Sequence, residues 1–282
     1  MPTLRLTDTL LAVTRWFRPT LFLAFAMLTS GAIAADANLY QATTFVTGQY
    51  EPNRSIGFGK CLEFVLVKLT GDPRLTGDPR VAAMAADAKA YITDFHYRDL
   101  MEGIPVHDEQ GTRQRPYDLT VTFDPAKIDA AVGTLGLEPW TGPRPRLVLI
   151  VGVRNGIAYM LANDGSRGRD LRDAVAAAGD RIGMPVALPA EATLTKAELT
   201  FDTLPGVDLA SLDALAKATA SDIAVTGTLD WSDKALGWVA DWRLEWKRET
   251  HHWQIQGVNF DDAFRSAIGG AAQILSGHSA PD

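Results

Sequence analysis

The sequence predicts an α+β protein: a small N-terminal α/β sandwich, then a C-terminal α/β domain whose mixed sheet ends in an antiparallel, tryptophan-rich meander and a C-terminal helix. Three observations carry that prediction. Residues 223–257 alternate apolar and polar with period two, as strands with one dry face do. Leu147–Val153 is an unbroken apolar run of strand length, the pattern of a strand buried on both faces. Between Asn53 and Thr70 the residues Phe58, Cys61, Leu62, Val65 and Leu69 recur at helical spacing and form one stripe.

The chain opens with Arg5, Arg15 and Arg18 around the apolar run Thr20–Leu28, followed by Ala32-Ile33-Ala34, a small-x-small cleavage pattern. Residues 1–34 therefore read as a signal peptide, cleaved after Ala34. The apolar run is about half the ~20 residues that a spanning helix requires. The mature chain is expected to lie free in the periplasm, without a membrane span. The single cysteine, Cys61, is remote from the cleavage site, so it offers no lipid anchor there, and it cannot form an internal disulfide. Its place on the helical stripe points to the core rather than to thiolate chemistry. The formal charge of −7 becomes −9 once the leader takes three arginines and Asp8 with it. That balance argues against nucleic acid or anionic lipid as a partner.

In the mature chain, Tyr40–Gly48 reads as a strand and Asn53–Thr70 as the helix with the stripe. A duplicated Gly-Asp-Pro-Arg at 71–74 and 77–80 brackets a turn, and Val81, Met84, Ala85 and Ala88 mark a shorter helix. Ile92–Arg98 and Tyr117–Asp124 form a β-hairpin. The connection of about 18 residues between its arms, with Glu102, His107, Asp108, Glu109, Arg113 and Arg115, is longer than most and reads as either a mobile segment or a recognition loop. Pro125–Leu135 is a helix. The proline-rich stretch 138–146 is a stiff connector between domains at 35–137 and 147–276, and 277–282 is expected to be a disordered tail.

The second domain begins with the Leu147–Val153 strand, turns at Asn155-Gly156 into Ile157–Leu161, and continues through a glycine-rich loop into a helix bearing Leu171, Ala174, Val175, Ala178 and Ile182. Pro185–Leu188 is a short strand and Ala210–Ala220 a further helix. In the meander, Ile223, Val225, Gly227, Leu229 and Trp231 share a face, as do Trp238, Ala240, Trp242, Leu244 and Trp246. Trp253, Ile255 and Gly257 continue the same face on the third strand. All five tryptophans are thereby assigned to the core. Asn259 can cap a last helix whose Phe264, Ile268, Ala271 and Leu275 turn toward that dry face.

Catalytic motifs are sparse. The five histidines show no HExxH spacing, no second cysteine is present, and G-x-S-x-G does not occur, so neither a metal site nor a cofactor is expected. The most suggestive segment is the loop into the 171–182 helix. There Gly165, Ser166, Arg167, Gly168, Arg169 and Arg172 could hold an anion with backbone N–H groups and guanidinium charge. It matches no known phosphate loop, and Asp164, Asp170 and Asp173 offset its charge.

Val67–Asp72, the Leu119–Asp124 strand, Trp140 ahead of Arg144-Pro145-Arg146, and Ser221–Leu229 before a tryptophan-rich hairpin occur in this order behind a signal peptide. The arrangement resembles a family of Gram-negative secreted proteins, domain of unknown function 2066, which implies a compartment and an architecture but no activity. At the level of fold, the Ala224–Gly227 strand with its hairpin looks like the small α/β domains of envelope assembly proteins such as the curli-secretion lipoprotein. The sequence is therefore read as a non-enzymatic periplasmic binding or envelope-assembly module, its partner an envelope protein. The alternatives are a carboxylate-dependent hydrolase of a glycan or peptidoglycan fragment, and a small-anion binder at Gly165–Arg172.

Overall fold

Alternation of side chains decides the first sheet. In the computed structural model, which describes residues 39–104 and 114–281, strands β1 (Gln41–Thr47), β2 (Ile92–Asp99) and β3 (Pro116–Phe123) form an antiparallel sheet in the order β1-β3-β2. The leader read over 1–34 lies outside the described residues, as does the centre of the long connection with His107, Asp108, Glu109 and Arg113. Ala42, Val46, Leu119, Val121 and Phe123 point inward and are buried under helix α1 (Asn53–Thr70). Gly57 permits the close approach, since a Cβ there would stand 2.6 Å from Leu119 Cδ2. The outer face is polar. Gln41 donates to Thr122 across 3.0 Å, the Thr43 and Thr120 hydroxyls pair at 2.8 Å, and Arg98 forms an ion pair with Asp118.

The duplicated Gly-Asp-Pro-Arg makes the same device twice. Asp72 and Asp78 each accept from the backbone N–H two residues on, while Pro73 and Pro79 start a 3₁₀ turn (Pro73–Leu75) and helix α2 (Pro79–Ala85). Each aspartate also holds its own arginine, Arg74 or Arg80, at 2.7 Å. A second 3₁₀ turn (Ala88–Tyr91) leads into β2, and α3 (Pro125–Thr134) is capped by Asp124.

The second sheet is mixed and six-stranded: β4 (Leu147–Asn155), β5 (Ile157–Met160), β6 (Val186–Ala187), β7 (Ile223–Ser232), β8 (Gly237–Trp246) and β9 (Glu249–Val258). Its order is β5-β4-β7-β8-β9, with β6 beside the start of β4 and with β4 and β7 parallel. The apolar run of β4 has its reason here. Leu147, Leu149, Val151 and Val153 enter the core with α4 (Arg169–Ile182) and α7 (Phe260–Leu275). Val148 and Ile150 face a second cluster under α5 (Glu191–Lys196), a 3₁₀ turn (Leu204–Gly206) and α6 (Leu209–Ala218). Between 189 and 208 the sequence announces no element, because α5 and the 3₁₀ turn are each a single turn or two and too short for a period to register.

The meander is antiparallel, as expected, and its register pairs Trp231 with Trp238, Gly227 with Trp242, Val225 with Leu244, and Trp242 with Trp253. Glycines receive two of the indoles. A Cβ on Gly227 would overlap the Trp242 ring, and one on Gly270 of α7 would stand 2.6 Å from Trp253 Cε2. Trp253 Nε1 donates to Ser266 O at 3.1 Å, and Asn259 caps α7 by accepting from Asp262 N–H. The assignment of all five tryptophans to the core requires correction. Trp238, Trp242 and Trp253 are buried, Trp246 is half-buried, and Trp231 is 42% exposed. Trp231 lies at the turn end of the β7–β8 hairpin, packing edge-on against Trp238 and donating to Asp233.

Residues from both sides of the 138–146 connector enter one continuous core. The connector itself is fastened: Trp140 N–H donates to Leu69 O, and Arg144 donates to Ile182 O at 2.7 Å and to Lys68 O. Residues 277–281, read from sequence as part of a disordered tail, are held by Gln273 Nε2 donating to Ser279 O and by Arg74 donating to Ser279 Oγ. Ala280 packs on the core.

Candidate functional site

The edge of the first sheet places backbone groups where a ligand can reach them. Phe123 N–H donates to Tyr40 O and Gly48 N–H to Arg115 O, so the even-numbered residues of β1 turn their peptide groups toward β3. Gln41, Thr43, Phe45 and Thr47 consequently turn theirs away from the sheet. Both ends of this edge are occupied: Gln41 O accepts from Lys68 Nζ at 2.9 Å and Thr47 O from Asn53 Nδ2. Thr43 and Phe45, between them, have outward N–H and C=O groups that meet no hydrogen-bond partner among the described residues. The Phe45 side chain is 57% exposed.

Beside the Gln41–Thr43 end of that edge runs a groove of about 710 Å³. Its opposite wall is α4, presenting Ala174, Ala177 and Ala178, while Phe64 and Lys68 of α1 form the floor and Arg265 of α7 closes one side. Four cations line it, Lys68, Arg98, Arg181 and Arg265, against the three carboxylates Asp118, Asp180 and Asp261. The groove thus leans positive in a chain of formal charge −7.

Lys68 is the unusual member. It is buried, and burial, aided by the charge of Arg144, pulls its ammonium down from 10.5 to about 8 against the opposing pull of Asp180. Its stem passes under Gly183, whose φ of 71° ends α4 and where a Cβ would stand 2.8 Å from Lys68 Cγ. Arg181 lies flat on Phe64, 3.7 Å from the ring centroid, and is held below the ordinary arginine range by burial and then by Arg265. Sequence reasoning passed over both residues. A signal existed for Lys68, which is three residues past Val65 and seven past Cys61 and so falls on the buried stripe. Arg181 carries no such mark, because its environment is built by the remote Phe64.

The predicted anion loop is in place but divided. Gly168, with φ 74°, precedes the first turn of α4 without a side-chain cap. Gly165, Ser166 and Arg167 line a groove of about 510 Å³ with Glu191 and Asp202, whereas Gly168 and Arg169 line another of about 400 Å³ with Trp238 and Phe260. Arg167 borders both, its guanidinium 5.9 Å from the Tyr159 ring. Arg172 turns back onto the loop and donates to Arg167 O at 2.6 Å, and Asp164 accepts from Glu191 N–H.

Cys61 is fully buried against Leu119 O, and desolvation pushes its thiol up to about 12. Among the described residues, no group of three or more His, Cys, Asp or Glu side chains could hold a metal ion. No helix there is long and apolar enough to cross a membrane.

A family model described as a domain of unknown function, DUF8605, matches residues 34–141. This finding overturns the resemblance to domain of unknown function 2066, whose quoted motifs are strand and helix-end patterns fixed by packing rather than by a site. No curated protein and no solved structure matches the chain.

Proposed function

We propose that the protein is a non-catalytic binding module of the periplasm, engaging an envelope protein through the groove between β1 and α4. The observation that carries this reading is the pair of walls: a strand edge with unfilled backbone groups at Thr43 faces a helix surface of alanines, above a buried ammonium. Such a shape recognises by backbone pairing and small-residue contact. The periplasmic address rests on the arginine-flanked apolar run and the Ala32-Ile33-Ala34 pattern. N-terminal sequencing of protein from fractionated cells should give Ala35 in the periplasmic fraction, and an intact Met1 in the cytosol would refute it.

The carboxylate-dependent hydrolase is less well supported. A general acid needs a raised pKa, yet among the described residues the shifted carboxylates all move the other way. Glu51 is held down by Ser55 and Arg54, Asp78 by Arg80, and Asp208 by Ser211. At Asp72, burial pushes upward but Arg74 outweighs it. The groove reading is tested by Ala177→Trp, which fills the groove from its exposed helical wall. Wild-type protein should capture an envelope protein that the variant, at unchanged melting temperature, does not. Turnover of peptidoglycan fragments by purified protein would replace the proposal with the hydrolase.

The Gly165–Arg172 loop supports a second proposal, a small-anion site, because Gly168 leaves the first N–H groups of α4 without a side-chain cap beside Arg167 and Arg169. Phosphate should then raise the melting temperature and Arg167→Ala should abolish the rise. An unchanged transition in phosphate would end that proposal.

A further inference from the structure

We infer that the chain pairs with a second copy of itself along β2, the far edge of the three-stranded sheet, in an antiparallel dimer with His96 on its twofold axis. This goes beyond the groove reading above and does not depend on it. β2 is an edge strand of eight residues. Leu100 N–H donates to Pro116 O, so the even-numbered residues of β2 turn their peptide groups toward β3, while Phe95 and Tyr97 turn theirs outward. Those outward N–H and C=O groups meet no hydrogen-bond partner among the described residues. Solitary edges are ordinarily blunted by lysine, proline or a covering element. β2 contains neither residue, no described strand or helix packs along its outer side, and Phe95 is 39% exposed there.

The side chains select both the occupant and the register. Phe95 and Tyr97 belong to a ladder of edge-to-face rings, Phe58, Phe95, Tyr97 and Tyr117, with successive centroids 5.0, 6.0 and 5.8 Å apart. With His96 on the axis, Phe95 faces the partner's Tyr97, and the ladder continues into the second copy. On the opposite face of the sheet Asp94 meets the partner's Arg98, and Arg98 the partner's Asp94. Both groups have capacity for this. Asp94 makes no ion pair or hydrogen bond among the described residues, and Arg98 gives Nε and Nη2 to Asp118 while its Nη1 meets no acceptor there. Arg98 then bridges two carboxylates, Asp118 of its own chain and the partner's Asp94. Neighbouring registers lose the match. Centred on Tyr97, the pairing sets Arg98 against the partner's His96, and centred on Phe95 it runs into the bulge at Thr93.

The test is sedimentation velocity on the chain as purified from cells, over a range of concentrations. The wild type should pass from monomer to dimer as concentration rises. Asp94→Arg and Arg98→Asp each set like charges opposite one another, twice per dimer, and each should weaken dimerisation about tenfold or more. An equimolar mixture of the two variants restores both opposite-charge pairs, so a heterodimer should form at close to wild-type affinity. That rescue cannot come from a variant that has failed to fold. His96→Cys gives a second readout, because residues facing one another as a non-hydrogen-bonded pair lie about 4.5 Å apart at Cα, within reach of a disulfide. On oxidation this variant should form a covalent dimer, whereas Thr120→Cys, one strand inward, should not. The native Cys61 is buried and does not compete.

A chain that stays monomeric up to about 1 mM overturns the inference. So does a dimer that both charge reversals leave intact, since the contact would then lie elsewhere on the molecule. Reversals that each abolish the dimer but give no heterodimer when mixed overturn it as well, because the facing of Asp94 and Arg98 would be wrong.

Discussion

The two sheets of this protein are built to opposite plans. The six-stranded sheet is covered on both faces, by α4 and α7 on one side and by α5 and α6 on the other. Its first strand accordingly reads as solid Leu, Val and Ile. The three-stranded sheet has a helix on one face only, and its other face holds a threonine pair, an ion pair and the exposed Phe45. Coverage on both faces maximises apolar burial and leaves nothing to recognise. One bare face and an open edge surrender burial but present hydrogen-bonding groups at a fixed geometry. On the proposed reading, the larger sheet is the scaffold, and the smaller one the surface offered to a partner.

That division can be broken by substitution. Trp242→Ala removes a fully buried indole seated over Gly227 and should cost about 3–5 kcal/mol in urea unfolding. A loss under about 1 kcal/mol would deny the larger sheet its role as scaffold. Lys68 sharpens the contrast where the two regions meet. Its ammonium is disfavoured in the folded state, so between pH 8 and 10.5 the unfolded chain binds more protons and stability rises with pH. Relative to Lys68→Met, the wild type should gain on the order of 3 kcal/mol over that window. A constant difference between the two proteins would show that the ammonium is not desolvated. The smallest effects belong to the bare face. Asp118→Asn should cost about 0.2–1 kcal/mol by removing the half-buried partner of the exposed Arg98. Phe45→Ser should lie within about 0.5 kcal/mol of wild type, and a larger loss would mean that the ring is structural.

How far the sequence could be read follows the same divide. Elements with a period were legible to the residue or nearly so: the Asn53–Thr70 helix, the Asn259 cap and the alternating faces of the meander all follow from spacing alone. Trp231 escaped because parity tells which face a residue takes, not how far the covering helix reaches. The joining of both halves in one core was hidden too, since prolines at 139, 143 and 145 announce a stiff connector whether or not its flanks pack together. The groove was largely invisible. Its walls come from β1, α1, α4 and α7, which meet only in three dimensions, while the loop at Gly165–Arg172 drew notice because its glycines and arginines are adjacent in the chain.

Arg144 has a consequence for how the polypeptide can be supplied. Its guanidinium closes the last turns of α1 and α4 together, accepted by Lys68 O on one and by Ile182 O and Gly183 O on the other, with Trp140 stacked 4.6 Å away. A backbone cut between Thr141 and Gly142 leaves every one of those oxygens in position. Two co-expressed fragments meeting at that cut should find each other and copurify as a nicked whole. Arg144→Ala should weaken their association without abolishing it, since the shared core remains.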